Sequence, residues 1–428
     1  MKFIHLHYLI QQVQVEVHDL TYTNNEMATI LFCSYLGIEK EDAKPFSTKE
    51  WNALQERITA AGFHGPEVFL DKSITDIEEV MQLNEDEKQR IEGLLSRGAI
   101  VGLLLEKYSK RGIHVVTRAD KRFPKLLRSR LKLKTPPILF YCGELDLANK
   151  MGIAVVGSRN IEEQGYQFVQ ELVAKAVKEK LAIFSGGAKG IDSVAQQAAI
   201  DNGGIAVSYI ADAMTKKIQN RDILKAIESK QLLLLSDTNP DLGFTVAKAM
   251  NRNKYIYASS CGAIAVAADL KKGGTWTGAI ENINHKWVSL GVWNTNIYTG
   301  NEELISRGGI PIEKIENFSF QTLIDKTFQP IEQETVYQME LFPSKVGEEK
   351  EEYNTQKWEE PKSSYDIMLP YILQCLESEK KLEEICKEFD TIKTQMQQWL
   401  NRAVSEGKIE KLTRPIRYKS IVGNDINS

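Results

Sequence analysis

Between residues 152 and 293 the chain repeats one pattern, and this pattern limits its fold more than any other feature. "GIAVVGS" (152–158) is a short apolar run ending in glycine, followed by "EEQGYQFVQELVAKAVKEK", which places apolar residues at helical spacing. "LAIFSGG" and "GIDSVAQQAAIDNGG" repeat the alternation, and "IAVSYI" (205–210), "LLLLSD" (232–237), "AIAVAAD" (263–269) and "WVSLGVW" (287–293) continue it. Continuous apolar strands alternating with helices predict βαβ units, hence a parallel sheet covered on both faces. The expected core is an α/β, extended Rossmann-like, doubly wound parallel sheet over residues 112–311. "GIHVVT" and the proline-bounded "PPILFYCGEL" are two further expected strands on its N-terminal side.

The flanks read differently. Residues 1–111 carry helical periodicity without strands, in "NNEMATILFCSYLGI" and "STKEWNALQERITAAGF". Ser47 with Glu50 forms a capping-box pattern, Asn84 is a second expected cap, and Gly98 an expected stop. Residues 312–362 are polar, end acidic and predict a linker. From 363 to 428 periodicity returns: a helix through "YDIMLPYILQCLES", a second in "KKLEEICKEF", and a third in "TIKTQMQQWLNRAVSEG", capped by Asp390 and closed at Gly407. A hairpin from "KIEKL" and "IRYKSI" follows, the order of a winged-helix domain.

Composition narrows the class. The chain is 42% hydrophobic and 26% charged, an ordinary balance for packed domains, with a formal net charge of −4. Basic residues nonetheless cluster: residues 109–134 hold ten Lys or Arg and one acid. Five cysteines stand apart, in no C-x-x-C pair, and the histidines form no ligand motif, so neither a disulfide framework nor a metal site is expected. No cofactor is expected either. No apolar run approaches the roughly 18 residues of a membrane span, and the first residues lack a signal-peptide layout, so the expected location is cytoplasmic.

Three glycine-bearing strand ends carry the functional signal: "VVGSRN" (155–160), "FSGGAKGID" (184–192) and "KKGGTWTGAIE" (271–281). In open α/β sheets ligands bind outside the carboxyl ends of the strands. Glycine there lets backbone N–H groups approach a phosphate, and the following helix adds its positive end. None of the turns matches a G-x-x-x-x-G-K-[ST] P-loop or a G-x-G-x-x-G fingerprint, so ATP hydrolysis and dinucleotide redox chemistry are not expected. Arg159 and Lys189 sit in the turns and Arg252 in "MNRNKYIYAS"; arginine's planar fork suits phosphate oxygens. Asp192, opening a helix, reads as a structural capping acid. Ser158, Ser185, Thr275 and Thr277 are nearby hydroxyls and Glu281 a conceivable base, but no acid–base pair stands out.

Taken together, "AVVGSRN", "FSGGAKGIDSVAQQAA", "MNRNKYIYAS" and "GGTWTGA" resemble, in order, the motifs of the DprA/Smf family of DNA-processing proteins. The resemblance covers approximately residues 115–311. It implies a non-enzymatic homodimer that binds single-stranded DNA and delivers it to a RecA-type recombinase during DNA uptake (natural transformation) and recombination, or in a mobile-element or phage-defence setting. Carried over by position, it nominates Gly157, Ser158 and Arg159; Ser185, Gly186, Gly187, Lys189 and Gly190; Arg252 and Asn253; and Gly274 and Thr275 as the DNA-binding set. Gln196 stands where the family usually has a histidine.

Two other readings stay open. "GGTWTGAIE" is faintly similar to the turn of lonely-guy-type nucleotide hydrolases, which would make the core a nucleotide-binding sensor or hydrolase. In the C-terminal domain, Lys393, Gln397, Gln398, Asn401 and Arg402 on the third helix, with Arg414, Arg417 and Lys419 on the wing, form a surface for duplex DNA or for a protein partner.

Overall fold

The computed structural model describes residues 22–38, 43–328, 364–376, 378–389, 393–413 and 416–420. Residues 1–21 of the N-terminal helical segment, the linker stretch 329–362, the Asp390 cap and Arg414 of the wing lie outside the described residues. The chain divides into two compact units, Met1–Phe328 and Gln329–Ser428.

The first unit is built on a nine-stranded sheet in the order β1-β2-β6-β5-β4-β3-β7-β8-β9. The strands are β1 Ile113–Thr117, β2 Ile138–Cys142, β3 Gly152–Gly157, β4 Ala182–Ser185, β5 Ala206–Tyr209, β6 Leu232–Ser236, β7 Ala263–Ala267, β8 Leu290–Trp293 and β9 Ile310–Ile312. From β6 to β8 in sheet order the strands pair in parallel, as the unbroken apolar runs predict for strands buried on both faces, and the short, partly exposed β9 adds in parallel at the edge. β3 lies between β4 and β7, so the chain reverses its direction of winding there. That is the topological switch point, where such sheets bind ligands.

Two strands depart from the parallel expectation. β2 runs antiparallel to β6, and β1 antiparallel to β2. This pair closes the β6 edge, and its alternate residues enter different cores. Ile138 and Phe140 join the core shared with the Glu163–Lys178 helix, whereas Leu139 and Tyr141 join the core under the Val246–Ser259 helix. At the opposite edge, β9 is three residues long and contains Pro311.

The helical segment before β1 has its own apolar cluster around Phe32, Trp51, Leu54 and Ile91. It also shares the sheet's core through Ile30, Leu31, Leu36 and Val101. The capping boxes at Ser47–Glu50 and Asn84–Glu87 are both formed. Gly98, expected to stop a helix, instead opens the Gly98–Ser109 helix, since the preceding helix already ends at Leu95.

The linker expectation is corrected at its start. Residues 312–328 are packed: Ile312 pairs with Trp293 in the sheet, and the Phe320–Phe328 helix buries Phe320, Leu323 and Ile324 in the main core. Phe320, Leu323, Ile324 and Phe328 stand at helical spacing, a short signal that the polar residues around it outweighed. The second unit has helices Ser364–Cys375, Leu382–Glu388 and Lys393–Ser405, then an antiparallel hairpin of Ile409–Thr413 and Ile416–Ser420.

Candidate nucleic-acid interface

The three glycine turns leave the carboxyl ends of β4, β3 and β7, which are adjacent strands. The topology thus brings together segments that lie far apart in the chain. The first two turns touch. Gly190, at φ +84°, precedes the Ile191–Asp201 helix, and a methyl group on it would strike the backbone of Ser158 and Arg159. The Ile191 amide donates to the Ser158 carbonyl at 3.2 Å. Gly157 lies against the Ile191 side chain, so the turn after β3 rests directly on the start of that helix.

Under the turn after β4 lies a buried ion pair. Arg252 and Asp192 are 6% and 7% exposed, with Nη2 and Oδ2 3.6 Å apart. The guanidinium occupies the space where a side chain on Gly186 would stand. The Asp192 carboxylate accepts from the amides of Gly186 and Ala188. Burial raises the Asp192 carboxyl above its ordinary range, opposed by the Arg252 charge, and burial lowers Arg252, opposed by Asp192. Lys217 completes this support by donating its amine to the Gly187 carbonyl, and burial lowers its pKa.

The turn after β7 is held from the same helix. Asn253 Nδ2 donates to the Gly274 carbonyl at 3.1 Å. Arg252 and Asn253 are neighbours on the Val246–Ser259 helix, so one helical turn supports two of the three loops. Thr275 is partly buried in the first turn of the Gly273–His285 helix, and the Thr277 hydroxyl donates to the Gly273 carbonyl.

The nominated residues therefore fall into two groups. Arg159 and Lys189 are exposed beside the turns, and Arg159 lies over the Phe244 ring, 4.7 Å from guanidinium carbon to centroid. Gly157, Ser158, Gly190, Gly274 and Thr275 supply backbone and small side chains around them, whereas Gly186 and Gly187 are buried beneath the turn. Arg252 is not at the surface. The sequence placed it among the phosphate contacts, but its charge is directed into the loop's foundation, where Gly186 leaves room for it. Ser185 is likewise buried, its hydroxyl 3.3 Å from Ser208 Oγ and accepting from the Gly187 amide. Gln196, in the position of the family's histidine, accepts from Ser208 at 2.7 Å.

The sequence reading missed Lys217, Phe244 and the Asp192–Arg252 pairing. No spacing announces these contacts, which join separate βα units. Glu281 is partly buried, and burial raises its carboxyl, with Lys254 and Lys134 opposing. Among the described residues no cluster of metal-ligating side chains forms, and no helix is long and apolar enough to cross a membrane.

In the second unit, most of the nominated polar side chains already have partners. Lys393 pairs with Glu383, Arg402 with Glu406, Arg417 with Glu379, and Gln397 donates to Tyr418 Oη and Asn401 Oδ1.

A parallel sheet with glycine turns converging at its switch point, with Arg159 and Lys189 exposed beside them, defines an extended Rossmann-type protein. A family model described as DNA recombination-mediator protein A matches residues 114–322. DNA processing protein DprA of Streptococcus pneumoniae is 34% identical over 141 residues, which are 32% of this chain and 49% of that protein. DprA of Bacillus subtilis is 28% identical over 232 residues, 53% of this chain and 76% of that one. The solved DprA structure from S. pneumoniae superposes with a TM-score of 0.51 at 22% identity, covering 69% of this chain and 97% of that chain. The chain thus spans about half the length of the pneumococcal relative in sequence. It belongs to the DprA/Smf family of DNA-processing proteins.

Proposed function

We propose that this protein binds single-stranded DNA through its sugar-phosphate backbone at the switch-point turns and passes it to a RecA-type recombinase. The observation that carries the reading is the convergence of three glycine turns on adjacent strands with Arg159 and Lys189 exposed beside them. Close-approaching amides and unburied cations are what backbone-directed, sequence-tolerant binding requires. The transfer to a recombinase and the action as a homodimer rest on the family resemblance, and the winged-helix reading of the second unit on its order of three helices and a hairpin. No bond-breaking step is assigned to the site, and the protein acts as a mediator.

Fluorescence anisotropy with labelled oligo-dT tests the reading. Affinity should fall steeply with salt, with a log–log slope of about −0.7 per neutralised phosphate, and mixed-sequence strands of equal length should bind similarly. A flat salt response excludes it. A thermal shift with nucleoside monophosphates but none with oligo-dT would favour the nucleotide-hydrolase reading instead.

A further inference from the structure

A second concave site lies on the same carboxyl-end side of the sheet, between the helical segment and the ends of β2 and β6. Its volume is about 320 Å³, at the lower end of the range of small-ligand sites. Ile138 and Phe140 line it with apolar surface, and Tyr35 and Leu242 stand at it, 51% and 46% exposed. Ser34 also lines it; that residue is 1% exposed, and its Oγ has no hydrogen-bond partner among the described residues. Lys248 adds a cation, with its amine bonded to the Gly243 carbonyl at 2.9 Å.

The loop after β6 joins this cavity to the glycine turns. Asn239 and Leu242 line the cavity, and two residues further on Phe244 stacks with Arg159 of the first turn. The loop is held in place from both sides: Asp241 accepts from Tyr108 Oη at 2.7 Å and from Thr215 Oγ1 at 2.8 Å. β6 and β3 are three strand spacings apart, about 14 Å, a distance that a few extended nucleotides bridge.

We infer that this cavity receives one nucleobase of the strand whose backbone lies on the glycine turns. This inference rests on the proposed single-stranded DNA binding. The space admits one planar heterocycle and excludes a folded peptide segment. Tyr35 offers a ring for stacking, and the apolar walls of Ile138 and Phe140 cover the base faces. A single loop carries both the cavity-lining Asn239 and Leu242 and the Phe244 that lies against Arg159.

The test compares an oligo-dT with an abasic strand of equal length at low salt, using the full chain. The parent should prefer the base-bearing strand by about tenfold, the scale of one stacked base. Tyr35→Ala and, separately, the mouth-filling Leu242→Trp should bring that preference close to unity while leaving abasic binding and the unfolding midpoint unchanged. If both variants fold and keep the full preference, the inference is overturned. Equal weakening of base-bearing and abasic binding by Lys189→Ala, with the base preference retained, shows the turn reading to be sound independently of the cavity. Abasic binding that is absent in the parent removes the proposed function and the strand-borne base together. Thymidine monophosphate should compete weakly; if it saturates the protein and Leu242→Trp abolishes only that binding, the occupant is a free nucleotide and the inference fails.

Discussion

The turn after β4 and the turn after β7 contain the same kind of sequence and are built in opposite ways. In the first, glycine is required by packing: the Arg252 guanidinium fills the place of a side chain at Gly186, and neighbouring backbone fills it at Gly190. A buried ion pair, two amides and Lys217 fix that loop from beneath. In the second, Gly274 is exposed, its nearest neighbour for an added methyl is Asn253 Nδ2 at 3.3 Å, and a single side-chain hydrogen bond, from Asn253, ties the turn to another helix. Glycine content alone therefore does not report stiffness. One loop is a preformed cradle, and the other is free to adjust to what the cradle holds.

The contrast can be broken most directly at its foundation. Arg252→Ala leaves Asp192 buried without its counter-charge, and urea unfolding should show a loss of about 3–5 kcal/mol, together with loss of oligo-dT binding. A loss near that of a surface substitution would mean that the pair does not carry the loop. Gly186→Ala forces the guanidinium aside and should cost about 1–3 kcal/mol, whereas Gly274→Ala should stay within about 0.5 kcal/mol of the parent. Equal costs at the two positions would erase the distinction. Asn253→Ala removes the hydrogen bond that ties the second turn to the neighbouring helix, and a stability change of about 1 kcal/mol is expected, with most of the strand affinity retained. The smallest effect on stability is expected for Arg159→Ala with Lys189→Ala: no shift in the unfolding midpoint, but a log–log salt slope shallower by about 1.4 if each cation meets one phosphate of a single strand. An unchanged slope would remove both residues from the interface.

The legible and illegible parts of the molecule divide along a physical line. Each βα turn is local, so "VVGSRN", "FSGGAKGID" and "KKGGTWTG" could be located and placed at strand ends from the sequence. The parallel sheet followed from uninterrupted apolar runs. The partners of the charged residues were not local. Asp192 and Arg252 both lie at helix positions that suit a solvated charge, and only the folding of one helix beneath another unit's loop turns them into a buried pair. The same holds for Lys217, whose helix, Met214–Lys217, is a single turn, and for Phe244 in an irregular loop. The Phe320–Phe328 helix carries its apolar residues at i, i+3, i+4 and i+8, a legible signal, but it spans barely two turns beside a polar, acidic stretch. The antiparallel direction of β2 carries no local mark, since its all-buried pattern matches that of a parallel strand.

Pro311 in β9 has a consequence for how this protein meets other chains. Proline has no amide hydrogen to offer an incoming strand, and β9 is three residues long, so this edge is a poor template for further pairing. The sheet has a built-in stop there. Assembly by continuing the sheet past β9 is disfavoured, which directs any contact between copies toward helix faces or the β1 edge and keeps the long parallel core from growing into aggregates.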